Sequence, residues 1–480
     1  MSTRINHFTM RPLTPRSAHW LRIGLRLLGM LAWLLLAFLW LLAPGCSGAR
    51  LTPTPIVTII PIPTTTPPPT ATVAAVITTT NLLPTNKQSA SSQRTGAPLP
   101  APLYFLNPQG QIMRLAADGV TVQPVTNEAA PITAFDVDPT GTYVVYVSNN
   151  DLIRINAWGQ ERHLLLRGGT PGEAGTSAQF INTIFNVAFA PDGKQLAFGR
   201  NGIQLIRDIT VPDPITTAET LLANGSEPEL PPGAHLYFLA PGVYPSQWSP
   251  DGKRMFVTTS RMSTDSSAHL ILDVTTRQIA DVTITPPVDQ GTEQSRQSGL
   301  LCYTAGAGST QRWDRASMAL FTASDYYAFL GPPGLTTINA TDGTVTPLLY
   351  AYPACHTETT AENPTQLRLF RSIYQSTTGA LWGFVSTSYD PERPNVTLMT
   401  MAQFDLDRAQ ITPLRADSHY LGHEILWAED DRGAVVIVRE RLGDELNHNQ
   451  GQLLWLPSDG TPALDLGLDG RWLRWGGAIR

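Results

Sequence analysis

An apolar run, a Pro-Asp-Gly turn and a second apolar run recur along this 480-residue chain. Phe189-Ala190-Pro191-Asp192-Gly193-Lys194 leads into Gln195-Leu196-Ala197-Phe198-Gly199, and Trp248-Ser249-Pro250-Asp251-Gly252-Lys253 into Arg254-Met255-Phe256-Val257-Thr258-Thr259. A third copy is Val137-Asp138-Pro139-Thr140-Gly141 before Thr142-Tyr143-Val144-Val145-Tyr146-Val147. Proline presets φ for a turn, aspartate bonds the backbone two residues on, and glycine supplies φ > 0. Each copy therefore predicts a tight β-hairpin. Two more β-rich runs follow each hairpin, as Gly202–Ile206 and Glu219–Ala223 follow the second copy. Four short strands per unit are expected.

Weaker copies continue the cadence. Trp313-Asp314-Arg315-Ala316-Ser317, Ser376-Thr377-Thr378-Gly379 and Trp427-Ala428-Glu429-Asp430-Asp431 each precede an apolar run. Arg471-Trp472-Leu473-Arg474-Trp475-Gly476-Gly477 stands near the end of the sequence without a second run after it. The strand-end position is aromatic at Phe189, Trp248, Trp313, Trp427 and Trp475. Those rings read as core wedged between neighbouring sheets. Pro102-Leu103-Tyr104-Phe105-Leu106 resembles a second strand lacking a first, so pairing it with the orphan strand around Trp472 to Trp475 would hide both edges. The fold expected for residues 101–480 is all-β. It is a β-propeller of seven blades, each of four antiparallel strands, closed between the N- and C-terminal strands, with six or eight blades as alternatives.

The Trp-Ser-Pro-Asp-Gly-Lys turn and its apolar strand resemble the TolB-like, WD-repeat-like β-propeller of periplasmic proteins and of prolyl oligopeptidase-like enzymes. The resemblance spans residues 101–480. It implies a fold more than an activity, because propellers host many unrelated functions.

All 39 acidic residues follow residue 100, whereas eight of the 33 basic residues precede it. The region beyond residue 100 is thus acidic and offers no footprint for nucleic acid. Residues 1–26, with Arg4, Arg11, Arg16, Arg22 and Arg26, form a basic cytoplasmic flank to an uncharged stretch from Leu27 to Ala43. Residues 27–45 read as a signal or transmembrane segment, with the following chain outside. Ala43-Pro44-Gly45-Cys46-Ser47-Gly48 resembles a bacterial lipoprotein signal, which implies acylation of Cys46; an uncleaved anchor is the alternative. Residues 46–100 read as a tether, because thirteen Thr and ten Pro in 51–100 cannot bury a core. Fully extended, it would reach about 150 Å.

Cys302 and Cys355 fall in long connections at consecutive blade junctions, and a disulfide between them is expected outside the membrane. It would contribute about 3–4 kcal/mol. The connections 284–311, 351–371 and 416–424 share one face in this reading. Gln290, Tyr303, Arg312, Tyr352, His356, Tyr420 and His423 are its candidate partner-binding residues.

No Gly-x-Ser-x-Gly is present, which argues against a prolyl oligopeptidase-type hydrolase. His419 and His423 beside Glu424, with His356, have metal-site residue types, but a strand there predicts a solvated histidine pair and no metal. The first strands supply mostly apolar and neutral polar residues to the axis. No cofactor is implied. The expected function is an extracytoplasmic, membrane-tethered binding or scaffold module for a protein, peptide or envelope glycan, and not an enzyme. The alternative is a glycosidase or polysaccharide lyase with its site in the central channel.

Overall fold

The computed structural model describes residues 98–174, 177–224, 242–260, 269–281, 310–323, 334–350, 370–386, 398–408, 410–438 and 451–477. They belong to one compact unit, Gln88–Arg480. Their regular structure is almost entirely antiparallel strand. The first strands are β1 (Leu103–Leu106), β2 (Ile112–Leu115) and β3 (Val122–Pro124). A four-stranded sheet follows, of β4 (Ile132–Val137), β5 (Tyr143–Ser148), β6 (Asp151–Asn156) and β7 (His163–Arg167). Helix α1 (Ser177–Asn182) leads to a sheet of β8 (Phe185–Phe189), β9 (Leu196–Gly199), β10 (Gly202–Ile206) and β11 (Ala218–Ala223). Another holds β12 (Gly242–Trp248), β13 (Arg254–Ser260), β14 (His269–Asp273) and β15 (Ile279–Asp281). The next is β16 (Thr310–Trp313), β17 (Ala319–Ala323), β18 (Gly334–Asn339) and β19 (Val345–Tyr350). Then come β20 (Phe370–Gln375), β21 (Leu381–Ser386), β22 (Leu398–Asp405) and β23 (Gln410–Pro413). The last are β24 (His419–Trp427), β25 (Gly433–Val438), β26 (Gly451–Pro457) and the long β27 (Leu464–Trp475).

β27 serves two partners. Its first part pairs with β26, as Gly470 with Gly451, and its second with β1, as Trp475 with Leu103 and Arg474 with Tyr104. The pairing expected between the two ends of the repeat region is therefore present. A short contact of β22 with the start of β24 (Leu398 with Tyr420, Met399 with His419) joins β20–β27 and β1–β3 into one eleven-stranded sheet.

The turns between first and second strands share one geometry. Gly141, Gly193, Gly252, Ser317, Gly379 and Asp431 each donate N–H to the carbonyl three residues back, at 2.8–3.3 Å. Each of them sits at φ between 60° and 85°. A type I turn closed by a left-handed residue is the three-residue hairpin link. Glycine adopts that conformation without the roughly 1–2 kcal/mol penalty of a side chain. The weak copies are weak in sequence because Ser317 and Asp431 replace glycine there, and both side chains bond the preceding turn. Ser317 Oγ accepts Asp251 N at 2.9 Å, and Asp431 Oδ2 accepts Thr377 N at 2.9 Å.

Neighbouring sheets pack through their first strands: β4 with β8, β8 with β12, β16 with β20, β20 with β24, β24 with β27, and β27 with β4. The strand-end rings sit in those junctions: Phe189, Trp248, Trp313, Trp427 and Trp475 are all under one-tenth exposed. Indole N–H groups fasten the sheets. Trp248 Nε1 donates to Ala188 O (3.0 Å), Trp313 to Gln247 O (3.3 Å), Trp427 to Ser372 Oγ (2.9 Å) and Trp475 to Trp427 O (2.9 Å). Because neighbours cover both faces, β5 and β25 are buried almost throughout and read as continuous apolar runs.

Candidate functional site

The first strands carry charge among their mostly neutral side chains. Counted back one place from each strand end, the repeats supply Asp136, Ala188, Gln247, Arg312, Tyr374, Leu426 and Arg474. Three of these seven are ionic.

Two carboxylates and one arginine link four successive first strands. β27 changes sheets at Gly470 and Arg471, and just beyond it Trp472 takes φ +54° while the register against β1 slips. Such a bulge takes amides out of the ladder. Both freed amides go to Glu424 of β24, Trp472 N to Oε2 at 2.5 Å and Leu473 N to Oε1 at 2.6 Å. Arg474 Nε donates to Asp136 Oδ1 of β4 at 3.0 Å, and its Nη1 stands 3.6 Å from Glu424 Oε1. Asp136 Oδ2 accepts Phe189 N of β8 at 2.7 Å. Burial pushes both carboxyls above their ordinary pKa, against the opposing pull of Arg474 and the amides. Every oxygen of the pair already receives an N–H. The arrangement fastens strands.

Two further arginines act likewise. Arg371 of β20 donates to Leu421 O, and to Gly422 O at 3.0 Å. Arg312 pairs with Glu429 and lies over the Tyr374 ring, 5.0 Å from its centroid. Tyr374 stacks on Trp427 at 5.2 Å and donates to Asp431 Oδ1 at 2.6 Å. Burial, with help from that carboxylate, raises its pKa.

The two ends of the strands differ. Turns of four to six residues close nearly all connections at the end that carries Trp248, Trp313, Trp427 and Trp475. The connections 224–241, 282–309 and 351–369, which lead to first strands, leave from the other end. So do 261–268, 324–333, 387–397 and 439–450, between second and third strands. Those four insertions had no recognisable signal beyond the spacing of apolar runs.

In the link from β23 to β24, Arg415, Asp417 and His419 form a relay that reaches the turn-end link between β26 and β27. Arg415, almost fully buried, donates to Pro457 O (2.6 Å), Thr461 O (2.7 Å) and both oxygens of Asp417 (2.7 Å each). Asp417 also meets His419 Nε2 at 2.9 Å. Burial acts against the charge on Asp417, but the bonds from Arg415 and His419 win and hold its pKa at about 2. A carboxylate orienting an imidazole is half of a general-base arrangement.

The expected site residues divide accordingly. Tyr420 lies at the loop end, in strand β24 where a loop over 416–424 was expected, because β24 begins at His419 to pair with β22. His423 belongs to the same strand. The trio His419, His423 and Glu424 is not one cluster: His419 turns to Asp417 and Glu424 to the β27 amides. Arg312 is at the opposite, turn end, on Glu429. Cys46, Gln290, Cys302, Tyr303, Tyr352, Cys355 and His356 lie outside the described residues.

No family model and no curated protein matches this sequence. Solved structures similar to it include a protein assigned as TolB from Agrobacterium tumefaciens, at 10% identity and TM-score 0.37, covering 78% of this chain and 98% of that one. The tricorn protease matches at 11% identity and TM-score 0.41, over 76% of this chain and 34% of its own. A prolyl endopeptidase matches at 10% and 0.42, over 79% and 50%. All three are β-propeller folds. Likeness this remote assigns no activity. Since enzymes stand among these structures, the expectation that the chain is not an enzyme is withdrawn.

Proposed function

We propose that residues from about 101 onward form a TolB-like, seven-bladed β-propeller that binds a protein, peptide or envelope glycan through its loop end. In this reading β27 is the fourth strand of one blade and the first of the next. The basic flank and apolar segment hold the propeller outside the cytoplasmic membrane, either on acylated Cys46 or on an uncleaved span. Cys302 and Cys355 cross-link two neighbouring connections, and Tyr303, Tyr352, His356, Tyr420 and His423 belong to the binding face.

The observation that carries the reading is the asymmetry of the connections. The turn end is closed by short, mutually bonded links, while seven long connections depart from the other. Long loops on a rigid scaffold are where recognition concentrates. A photo-crosslinking residue in the full-length chain within envelope vesicles tests it. Adducts are expected from position 420, and their loss when 439–451 is replaced by Asn-Gly. Equal adducts from Met318, exposed at the turn end, would reject the proposal.

One observation favours a second reading, an enzyme acting on envelope glycan, with His419 as base and Asp417 as its orienting carboxylate. Release of reducing ends from glycan that disappears in His419→Ala would support it. Activity unchanged in that variant excludes His419.

A further inference from the structure

The sheets β4–β7 and β8–β11 are economical at their loop end. Asn149-Asn150 and Arg200-Asn201 close their middle hairpins in two residues. The two sheets also carry two insertions, α1 at the loop end between β7 and β8 and a 3₁₀ turn, Pro214–Thr217, in the turn-end link between β10 and β11. Both border the same recess, of about 410 Å³.

The recess lies between the two sheets. Leu166, Phe198, Ile181 and Ile215 give it apolar walls, and Arg200 stands among Asn182, Asn201 and Gln204 as its one charged lining residue. Its α1 wall is held in place. Asn150 accepts Ile184 N at 2.7 Å and donates to Asn182 O at 2.9 Å, while Asn201 N and Asn224 Nδ2 both donate to Phe180 O. Arg200 makes one long bond, Nη2 to Gly168 O at 3.4 Å, and has no ion pair among the described residues. Gln204, in contrast, is occupied by Arg200 O and Thr220.

We propose that this recess binds a small amphipathic carboxylate, a short fatty or aryl acid, with its carboxylate on Arg200 and its apolar body against Leu166, Phe198, Ile181 and Ile215. The volume falls in the range of small-ligand sites, roughly 300–1,000 Å³. A recess that sets apolar walls beside a single guanidinium suits one anionic group on an apolar stem, since the guanidinium fork matches a carboxylate bidentately. None of its lining residues is among those proposed for the partner surface, and the site does not depend on that reading.

Fluorine NMR of 4-(trifluoromethyl)benzoate with the full-length chain tests the proposal, with octanoate as competitor. Line broadening that octanoate reverses is expected. Binding should weaken at least tenfold in Arg200→Gln and in Ile181→Asp, each judged only with the fold intact by circular dichroism. The neutral analogue 4-(trifluoromethyl)benzamide, tried on the unaltered chain, should bind at least tenfold more weakly than the acid. Absence of broadening with the acid, equal binding of acid and amide, or a folded Arg200→Gln that binds as before would each overturn the assignment.

Discussion

The turn end and the loop end of the strands follow opposite rules. At the turn end six links repeat one conformation, and two of them bond the preceding link through their left-handed residue, Ser317 to Asp251 N and Asp431 to Thr377 N. At the loop end the link between second and third strands is two residues long in the sheets β4–β7 and β8–β11, yet runs over 261–268, 324–333, 387–397 and 439–450 in later ones. Strand pairing survives either length. A hairpin needs its register set from one end only, and extra loop length costs slowly, about 0.6 kcal/mol per doubling. The difference teaches that stability is concentrated at one end, which leaves the other free to diverge.

The sharpest test of that division is the turn-end core. Trp427 is 1% exposed, stacks on Tyr374, meets Phe384 at 5.4 Å and donates to Ser372. Trp427→Ala should cost about 3–5 kcal/mol by chemical denaturation, from cavity and lost bond together. A loss below 1 kcal/mol would mean that the turn end does not carry the stability assigned to it.

Glu424 comes next. Glu424→Ala strands two bulge amides of β27 and should cost about 2–4 kcal/mol, seen as a lower denaturation midpoint. Its pH dependence contrasts with that of Asp417. The raised pKa values of Asp136 and Glu424 mean that the folded chain holds their protons more tightly than the unfolded chain does. Their contribution favours folding below the ordinary carboxylate range and is lost as pH rises through the raised values. Asp417, held at about 2, does the reverse. Its contribution is complete above the ordinary value, near 4, and is lost as pH falls toward 2. Denaturation across pH should therefore show Glu424→Gln flattening the upper limb and Asp417→Asn the acid limb. The same limb flattened by both substitutions would contradict the assignment.

Much of the turn end was legible in advance. Pro-Asp-Gly dictates its own conformation locally, and strand-end rings declare burial by residue type, so Trp248, Trp313, Trp427 and Trp475 were placed correctly between sheets. The carboxylate clasp was not legible, because Glu424, Asp136 and Arg474 are remote in sequence and meet only once β27 changes sheets. Read one repeat at a time, each looks like an ordinary strand residue. Aligning the repeats and reading the column before the strand end exposes Asp136, Arg312 and Arg474, though not their partners. The long inner-hairpin insertions escaped notice for another physical reason: nothing within a loop announces which strands it joins.

Glycines at the turn end grade the contacts between turns more finely. Gly379 has φ +85° with open space where a Cβ would stand, so Gly379→Ala should cost about 1 kcal/mol, from conformation alone. At Gly141, φ +72°, a Cβ would lie 2.7 Å from Gly477 N, the residue that follows the closing strand. Gly141→Ala should therefore cost about 2 kcal/mol, the conformational term plus overpacking. Equal losses by thermal or chemical denaturation would show that the turns do not press on one another.

The smallest expected effect is also the most telling. Replacing 439–451 by Asn-Gly joins Val438 to its partner Gln452 and turns β25 and β26 into the kind of hairpin already seen at Asn149-Asn150, where φ is +49° and +63°. Val438 pairs with Gln452 at that end, and the ladder continues through Val436 with Leu454 to Gly433 with Pro457. A two-residue type I′ turn suits the twist of such strands. Stability should change by less than about 1 kcal/mol, with closure entropy slightly in its favour. The measurement is the denaturation midpoint and its slope, compared with the parent chain. An unchanged slope with a small shift means that the strands never needed the insertion, and its persistence must then be explained by what it contacts outside this fold. A large loss would place stability at the loop end as well and remove the division between the two ends.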